Sequence, residues 1–206
     1  MAPPKKLIEQ FNLRSRLRFN VDQGQIWLDE SRMLLFHARA MGALRRELFD
    51  SLGVERARGL LVRMGFASGQ QDAELAKKLY GAGDPYDVFR IGPELHAFEG
   101  LVKATIVHAE LDWESGSFVG NVEWENSWEA DSHLQQFGVG EDMACWSLVG
   151  YASGYVTQFF NRFIVFRETS CIARGDAQCH IAGKPAEAWG DDAYLNYFKP
   201  ENLQGQ

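Results

Sequence analysis

The chain has 206 residues, 46% of them hydrophobic and 24% charged, with 21 basic against 28 acidic side chains and a formal net charge of -7. Those proportions match ordinary globular proteins and exclude a disordered or fibrous chain, and the length suits one large domain or two closely packed ones. The acidic balance argues against direct nucleic-acid contact by this segment through its general field, and no apolar run approaches the roughly 20 residues of a membrane span.

Residues 1–14 read as a loose lead-in, and no signal-peptide core follows Met1–Lys6, so a cytoplasmic location is expected. Arg16–Phe19 and Gln25–Leu28 flank the turn-forming Asp22–Gly24 and predict a hairpin in which Trp27 packs against something. From Ser31 to Leu52 the residues Leu34, Leu35, Ala38, Met41, Leu44, Leu48 and Leu52 recur at three- and four-residue steps, the pattern of an amphipathic helix stopped by Gly53. Val54–Ser68 and Ala73–Leu79 read as two further helices, and Gly81–Pro85 is a break. Beyond it, Leu101–Leu111 and Phe118–Trp124 predict two longer strands around the turn Glu114–Ser117. Met143–Phe160 is apolar with small residues at Gly150, Ala152, Ser153 and Gly154, which predicts a buried helix closely approached by its neighbours. Phe163–Glu168 and Gln178–Ala182 read as a last strand pair, and the tail after Lys199 as the start of a linker. Helices first, then a strand-rich half with one more helix, define an α+β fold. Gly150–Gly154 lacks the Lys-Ser/Thr ending of a phosphate loop, so nucleotide binding is not expected.

Three cysteines make an odd count with no disulfide framework and point to free thiols or metal ligation. Cys171 and Cys179 flank a loop long enough to fold back on itself, Glu168 precedes it on a strand, and Cys145 on the preceding helix can supply a fourth corner. Three sulfurs and one oxygen suit zinc in a closed, structural shell, with Arg167, Arg174 and Lys184 near enough in sequence to offset the negative charge. His180 is a competing fourth ligand, although neighbours along a strand point to opposite faces. The alternative is that the cysteines are core or surface thiols with no metal.

Aromatic residues make up 13% of the chain and concentrate after residue 85, where most are ordinary core. His96, in a loop-like stretch after Phe89, and Trp124, ending a strand, can present ring nitrogens into an apolar space. That combination fits a small aromatic ligand with one hydroxyl, enclosed almost completely. His37, His108 and His133 carry no such reading.

Gln25–Leu28, Arg32–Leu35, Gly53–Ala57, Asp72–Ala76, Gly92–His96, Cys145–Trp146, Gly150–Ala152, Glu168–Cys171 and Gly183–Glu187 together resemble the N-terminal sensory domain of XylR/DmpR-like enhancer-binding activators, over roughly residues 15–198. The resemblance implies a monoaromatic effector, phenol in particular, because relatives tuned to xylenes carry Tyr where His96 stands. It implies that His96 and Trp124 read the hydroxyl, that Phe89, Val122, Tyr155 and Phe166 form the walls, and that Cys145, Glu168, Cys171 and Cys179 hold a structural zinc. Arg174 replaces a further Cys of many relatives, so that position is not a ligand. It implies a homodimer formed by an N-terminal segment over residues 1–30 with an unpaired hairpin and an exposed Trp27, an effector-binding region over 31–135, a vinyl-reductase-type zinc portion over 136–198 and a linker from 199. In such activators binding relieves repression of an AAA+ ATPase domain that acts, with a DNA-binding domain, on sigma-54 polymerase. The readings kept beside this one are a toluene- or benzene-type sensor, a small-aromatic-modifying enzyme of reductase type, and a dimerisation module that binds no aromatic.

Overall fold

The computed structural model describes residues 12–190 and 192–199 and divides into two compact units, one ending at His37 and one beginning at Ala38. The expected lead-in lies mostly, and the expected linker after Lys199 wholly, outside the described residues.

In the first unit a short helix α1 (Leu13–Arg16) is capped by the Asn12 carboxamide and leads into an antiparallel meander of β1 (Leu17–Asn20), β2 (Gln25–Leu28) and β3 (Ser31–Met33). Gly24 closes the first turn at φ 62°, a left-handed conformation that glycine adopts without a Cβ clash. The hairpin is thus not unpaired: β3 adds to it, with Ile26 opposite Met33 and Trp27 opposite Arg32. Nor is Trp27 exposed. It is half-buried, its Nε1 donates to Gln25 Oε1 at 3.0 Å, and the Arg32 guanidinium lies 5.6 Å from its ring. The helix expected from Ser31 begins only at Ala38, because the β2 ladder claims the backbone of Ser31–Met33 and overrides the helical spacing of Leu34 and Leu35.

The second unit opens with α2 (Ala38–Leu52) and α3 (Val54–Tyr80), then α4 (Pro85–Phe89) and α5 (Ile91–Phe98). The two helices expected over 54–79 are one. Gly69 does not break α3; it lets α3 approach the helix α7 (Trp146–Phe160), where a Cβ at Gly69 would sit 2.1 Å from the Tyr151 carbonyl oxygen. The same closeness recurs at Gly65 (1.9 Å from Ser147 O), Gly150 (2.0 Å from Val62 O) and Gly154 (2.0 Å from Phe66 O), so each helix offers two glycines four residues apart to the other's backbone. His96 lies on α5 and not in a loop, since Pro93 occupies the first helical turn, where its missing N–H costs no hydrogen bond.

The sheet of this unit has the order β4-β5-β7-β6 and is antiparallel throughout, built from β4 (Lys103–Asp112), β5 (Ser117–Glu125), β6 (Ile164–Ser170) and β7 (Cys179–Pro185). Helix α6 (Trp128–Phe137), capped by Ser127, follows β5. Helix α7 begins three residues later than the apolar run does, because Cys145 is held non-helical at its N-cap. The edge strand β6 is covered by α7, whose Ser153 and Thr157 hydroxyls accept from the N–H groups of Phe166 and Ile164, each at 2.9 Å. A last helix α8 (Asp192–Leu195) leads to Tyr197 and Phe198, which pack on α3 and Trp146.

Gly150→Ala is expected to lower unfolding free energy by roughly 1–3 kcal/mol, since a methyl must force the two backbones apart. A chemical-denaturation midpoint equal to that of the parent would refute the close approach.

Candidate functional site

Two sites lie in the second unit, and α7 serves both. The first is a largely apolar recess between α5, α7 and the sheet, with about 540 Å³ of unfilled space counting the part continuous with solvent. Of the six residues expected around an effector, Phe89, His96, Val122, Tyr155 and Phe166 line it. Trp124 does not; it is buried one pleat further along β5. Gly120 and Gly183, opposite each other on β5 and β7, leave room for the rings of Phe118 and Phe166 to lie on the sheet, where Cβ atoms would come within 2.6 and 2.4 Å of them.

His96 is 3% exposed, and its Nε2 has no hydrogen-bond partner. Burial pushes its pKa down to about 3, so the imidazole is neutral, with one nitrogen to donate and one to accept. An unpaired buried nitrogen costs roughly 1–3 kcal/mol unless a ligand supplies a partner. The ring stacks on Tyr151 with centroids 3.6 Å apart at 24°. Tyr151 also lines the recess, and its hydroxyl donates to Asp72 Oδ2 at 2.6 Å. Asp72 in turn is hydrogen-bonded to Glu99. Burial raises Asp72 to about 6, and burial together with the Asp72 charge raises Glu99 to about 8. Sequence reasoning passed over these three groups. Asp72 stood within a quoted motif, but nothing in its spacing linked it to residues 99 and 151.

The second site gathers Cys145, Glu168, Cys171 and Cys179, whose ligand atoms all lie within 4.8 Å of one another. The sulfurs are 3.8, 3.9 and 4.0 Å apart, far beyond disulfide length, and the thiols are free. A tetrahedron with Zn–S bonds of about 2.3 Å has S···S edges of about 3.8 Å, so the spacing fits that geometry. Glu168 Oε2 accepts from the Cys145 N–H at 3.0 Å, while Oε1 is buried without a partner. Burial pushes the Cys145 thiol and the Glu168 carboxyl upward, whereas hydrogen bonds from Cys145 and Cys171 pull Cys179 down to about 4. Four acids so enclosed cannot all ionise without a cation among them. His180 is half-buried on the opposite face of β7 and stands outside the cluster.

The expected charge compensation differs in detail. Arg174 pairs with Asp176, whose Oδ2 accepts the Cys171 N–H at 2.8 Å, so it acts one step removed. Arg167 and Lys184 lie over the Trp189 ring at 4.5 and 4.3 Å. A buried strut that the sequence did not reveal holds the Cys145 segment: Glu129 accepts from Ser147 and Leu148 N–H at the start of α7, and Arg45, 4.0 Å from Glu129, donates to the Ala144 carbonyl at 2.7 Å.

A helical and antiparallel-sheet unit with an apolar recess and a closed sulfur-rich cluster defines a ligand-binding module more readily than a catalytic one. Residues 12–112 match the family model described as activator of aromatic catabolism, and residues 124–185 match that of the vinyl-reductase-type domain. The transcriptional regulatory protein XylR of Pseudomonas putida is 42% identical over 93% of this chain and 34% of its own length. The phenol regulator MopR of Acinetobacter guillouiae is 37% identical over 98% of this chain and 37% of its own. The chain therefore spans about a third of the length of these curated relatives. The phenol-responsive sensory domain of the transcription activator PoxR, solved with phenol, superposes with a TM-score of 0.90 at 43% identity, covering 97% of this chain and 99% of that one. The chain belongs to the family of N-terminal sensory domains of XylR-like activators.

His96 gives the folded chain a pH signature. Its pKa falls from about 6.5 unfolded to about 3 folded, so between those values the unfolded chain binds a proton that the folded chain refuses. Stability is full above about 6.5 and is lost as the pH drops. Relative to His96→Phe, the parent should lose about 1.4 kcal/mol more per pH unit between about pH 6 and about pH 5 in denaturant titrations. Equal slopes would contradict the buried, neutral imidazole.

Proposed function

We propose that this chain is the effector-sensing part of a sigma-54-dependent activator and that its effector is phenol or a closely related monoaromatic. The observation that carries the reading is the unpaired His96 Nε2 beside an apolar recess. A ring of about seven heavy atoms fits such a space, its faces against Phe89, Val122, Tyr155 and Phe166 and its hydroxyl on His96. Trp124, two residues from Val122 on β5, is the second hydroxyl partner and reaches it when the recess closes around the ring. A purely hydrocarbon ring leaves the imidazole without a partner, which favours phenol over toluene.

Cys145, Glu168, Cys171 and Cys179 would hold one zinc, which, when bound, neutralises their charge and ties the start of α7 to β6 and β7. A shell filled by protein leaves no place for a reacting water, so the metal is structural and the domain a switch without turnover. In the intact protein, residues 1–30 form a homodimer, 31–135 bind the effector, 136–198 carry the metal and 199–206 begin the linker to an AAA+ ATPase and a DNA-binding domain. Effector binding relieves repression of that ATPase in the cytoplasm. The separate compact unit at the N-terminus supports the dimer assignment.

His96→Ala should weaken phenol binding more than about tenfold by calorimetry, through loss of a hydrogen bond in an enclosed site. Unchanged affinity would discredit the assigned role, and conversion of phenol to a product would favour the enzyme reading. Elemental analysis of purified, folded protein should give one zinc per chain, with a clear loss of thermal stability in Cys171→Ser; less than half an equivalent would refute the metal assignment.

A further inference from the structure

Four side chains around the recess close a ring. His96 and Glu99 stand three residues apart at the end of α5 and so share a face. Asp72 comes from α3 and Tyr151 from α7. Glu99 is hydrogen-bonded to Asp72, Asp72 accepts from the Tyr151 hydroxyl at 2.6 Å, and the Tyr151 ring lies on His96 at 3.6 Å. The three helices that wall the recess are thus tied together by polar groups at the back of the one residue with an unpaired nitrogen in it.

We propose that Asp72 and Glu99 are positioning residues for effector recognition: acting through the Tyr151 hydroxyl, they hold the Tyr151 ring against His96, fix where the imidazole presents its free nitrogen, and thereby set the preference for hydroxylated over hydrocarbon rings. This inference rests on the reading of the recess as an aromatic-effector site. A tyrosine ring anchored at its hydroxyl cannot pivot, and an imidazole stacked on that ring is confined to its plane. A hydroxyl bond depends steeply on donor–acceptor alignment, whereas contact of a methyl or ring face with apolar walls does not.

The carboxyl pair can hold this arrangement only while it shares a proton, because two adjacent carboxylates repel each other. The titratable groups that face the pair are Tyr151 and Tyr155 of α7, both with pKa values pushed upward by burial and by Asp72, and the neutral His96 of α5. No cation figures among the described groups acting on Asp72 or Glu99. Loss of the shared proton, as the pH rises through about 8, therefore parts the pair and frees Tyr151.

The test is calorimetric titration of the intact chain with phenol and with toluene. Asp72→Leu should weaken phenol roughly tenfold and toluene less than about threefold, and Asp72→Asn, which keeps an acceptor for Tyr151, should restore most of the loss. In the parent, phenol affinity should decline as the pH rises through about 8, below the range where phenol itself ionises, and Glu99→Gln should level that profile. An equal loss for both rings, no recovery in Asp72→Asn, or a parent profile no different from that of Glu99→Gln overturns the proposal. Should Asp72→Leu fail to fold, the pH profile of Glu99→Gln, at its half-buried position, decides the matter. Parent protein that binds phenol while the variants keep the parental phenol-to-toluene ratio removes only this role; parent protein that takes up neither ring removes the sensor reading itself.

Discussion

Helices α3 and α7 meet backbone to backbone, and the position of every group discussed above follows from that contact. Gly65 and Gly69 face the carbonyls of Ser147 and Tyr151, while Gly150 and Gly154 face those of Val62 and Phe66. Ordinary helix pairs keep roughly 8–10 Å between axes because side chains intervene, and glycine on both partners removes that spacer. The short gap lets Asp72 reach the Tyr151 hydroxyl, and it brings Tyr155 near enough to Gly92 that a Cβ there would sit 2.7 Å from the ring. It also fixes the start of α7, where Ser147 and Leu148 give their N–H groups to Glu129 and Cys145 enters the metal cluster.

A buried polar atom without a partner is costly, and so its location is informative. Arg45 and Glu129 are almost wholly buried, yet they share a contact and take backbone groups at Ala144, Ser147 and Leu148 as partners. Removing either would leave a buried charge exposed to the full desolvation penalty, so this strut is structural. His96 Nε2 and Glu168 Oε1 differ from it: each is buried and unpaired, one beside the apolar recess and the other inside the cysteine cluster. Those are positions where a hydroxyl and a cation would complete the bonding.

The local chemistry of the chain was readable where short-range rules govern. The β4–β5 hairpin, the small-residue helix and the α+β class follow from alternation, turn residues and apolar runs, and the four cluster residues from their types and spacing. Reading failed where a distant partner decides. Ser31–Met33 is strand because β2 lies beside it, Gly69 is helical because α7 lies against it, and His96 is helical despite the preceding Gly-Pro pair because Pro93 falls in the first turn. The pairing of Asp72 with residues 79 and 27 positions away, and of Arg45 with Glu129, leaves no local trace, since a lone acid in a helix otherwise reads as a solvated face.

Magnitudes explain why such a recess is assembled in advance. A ligand of about seven heavy atoms has a binding ceiling of roughly 10 kcal/mol, and moving a two-state equilibrium from 1:99 to 99:1 takes about 5.5 kcal/mol of differential affinity. More than half of everything a phenol-sized effector can supply must then go into distinguishing two states, and little remains for ordering side chains on arrival. Ordering each mobile side chain costs about 0.5–1.5 kcal/mol, so two or three loose residues in the wall would consume the remainder. In this chain the wall is already ordered: the glycine contact fixes α3 against α7, Ser153 and Thr157 fasten α7 to β6, and the Tyr151–Asp72 bond holds the ring behind His96. A sensor for so small a molecule therefore depends less on the number of contacts it makes than on how little of its own structure has to settle when the molecule enters.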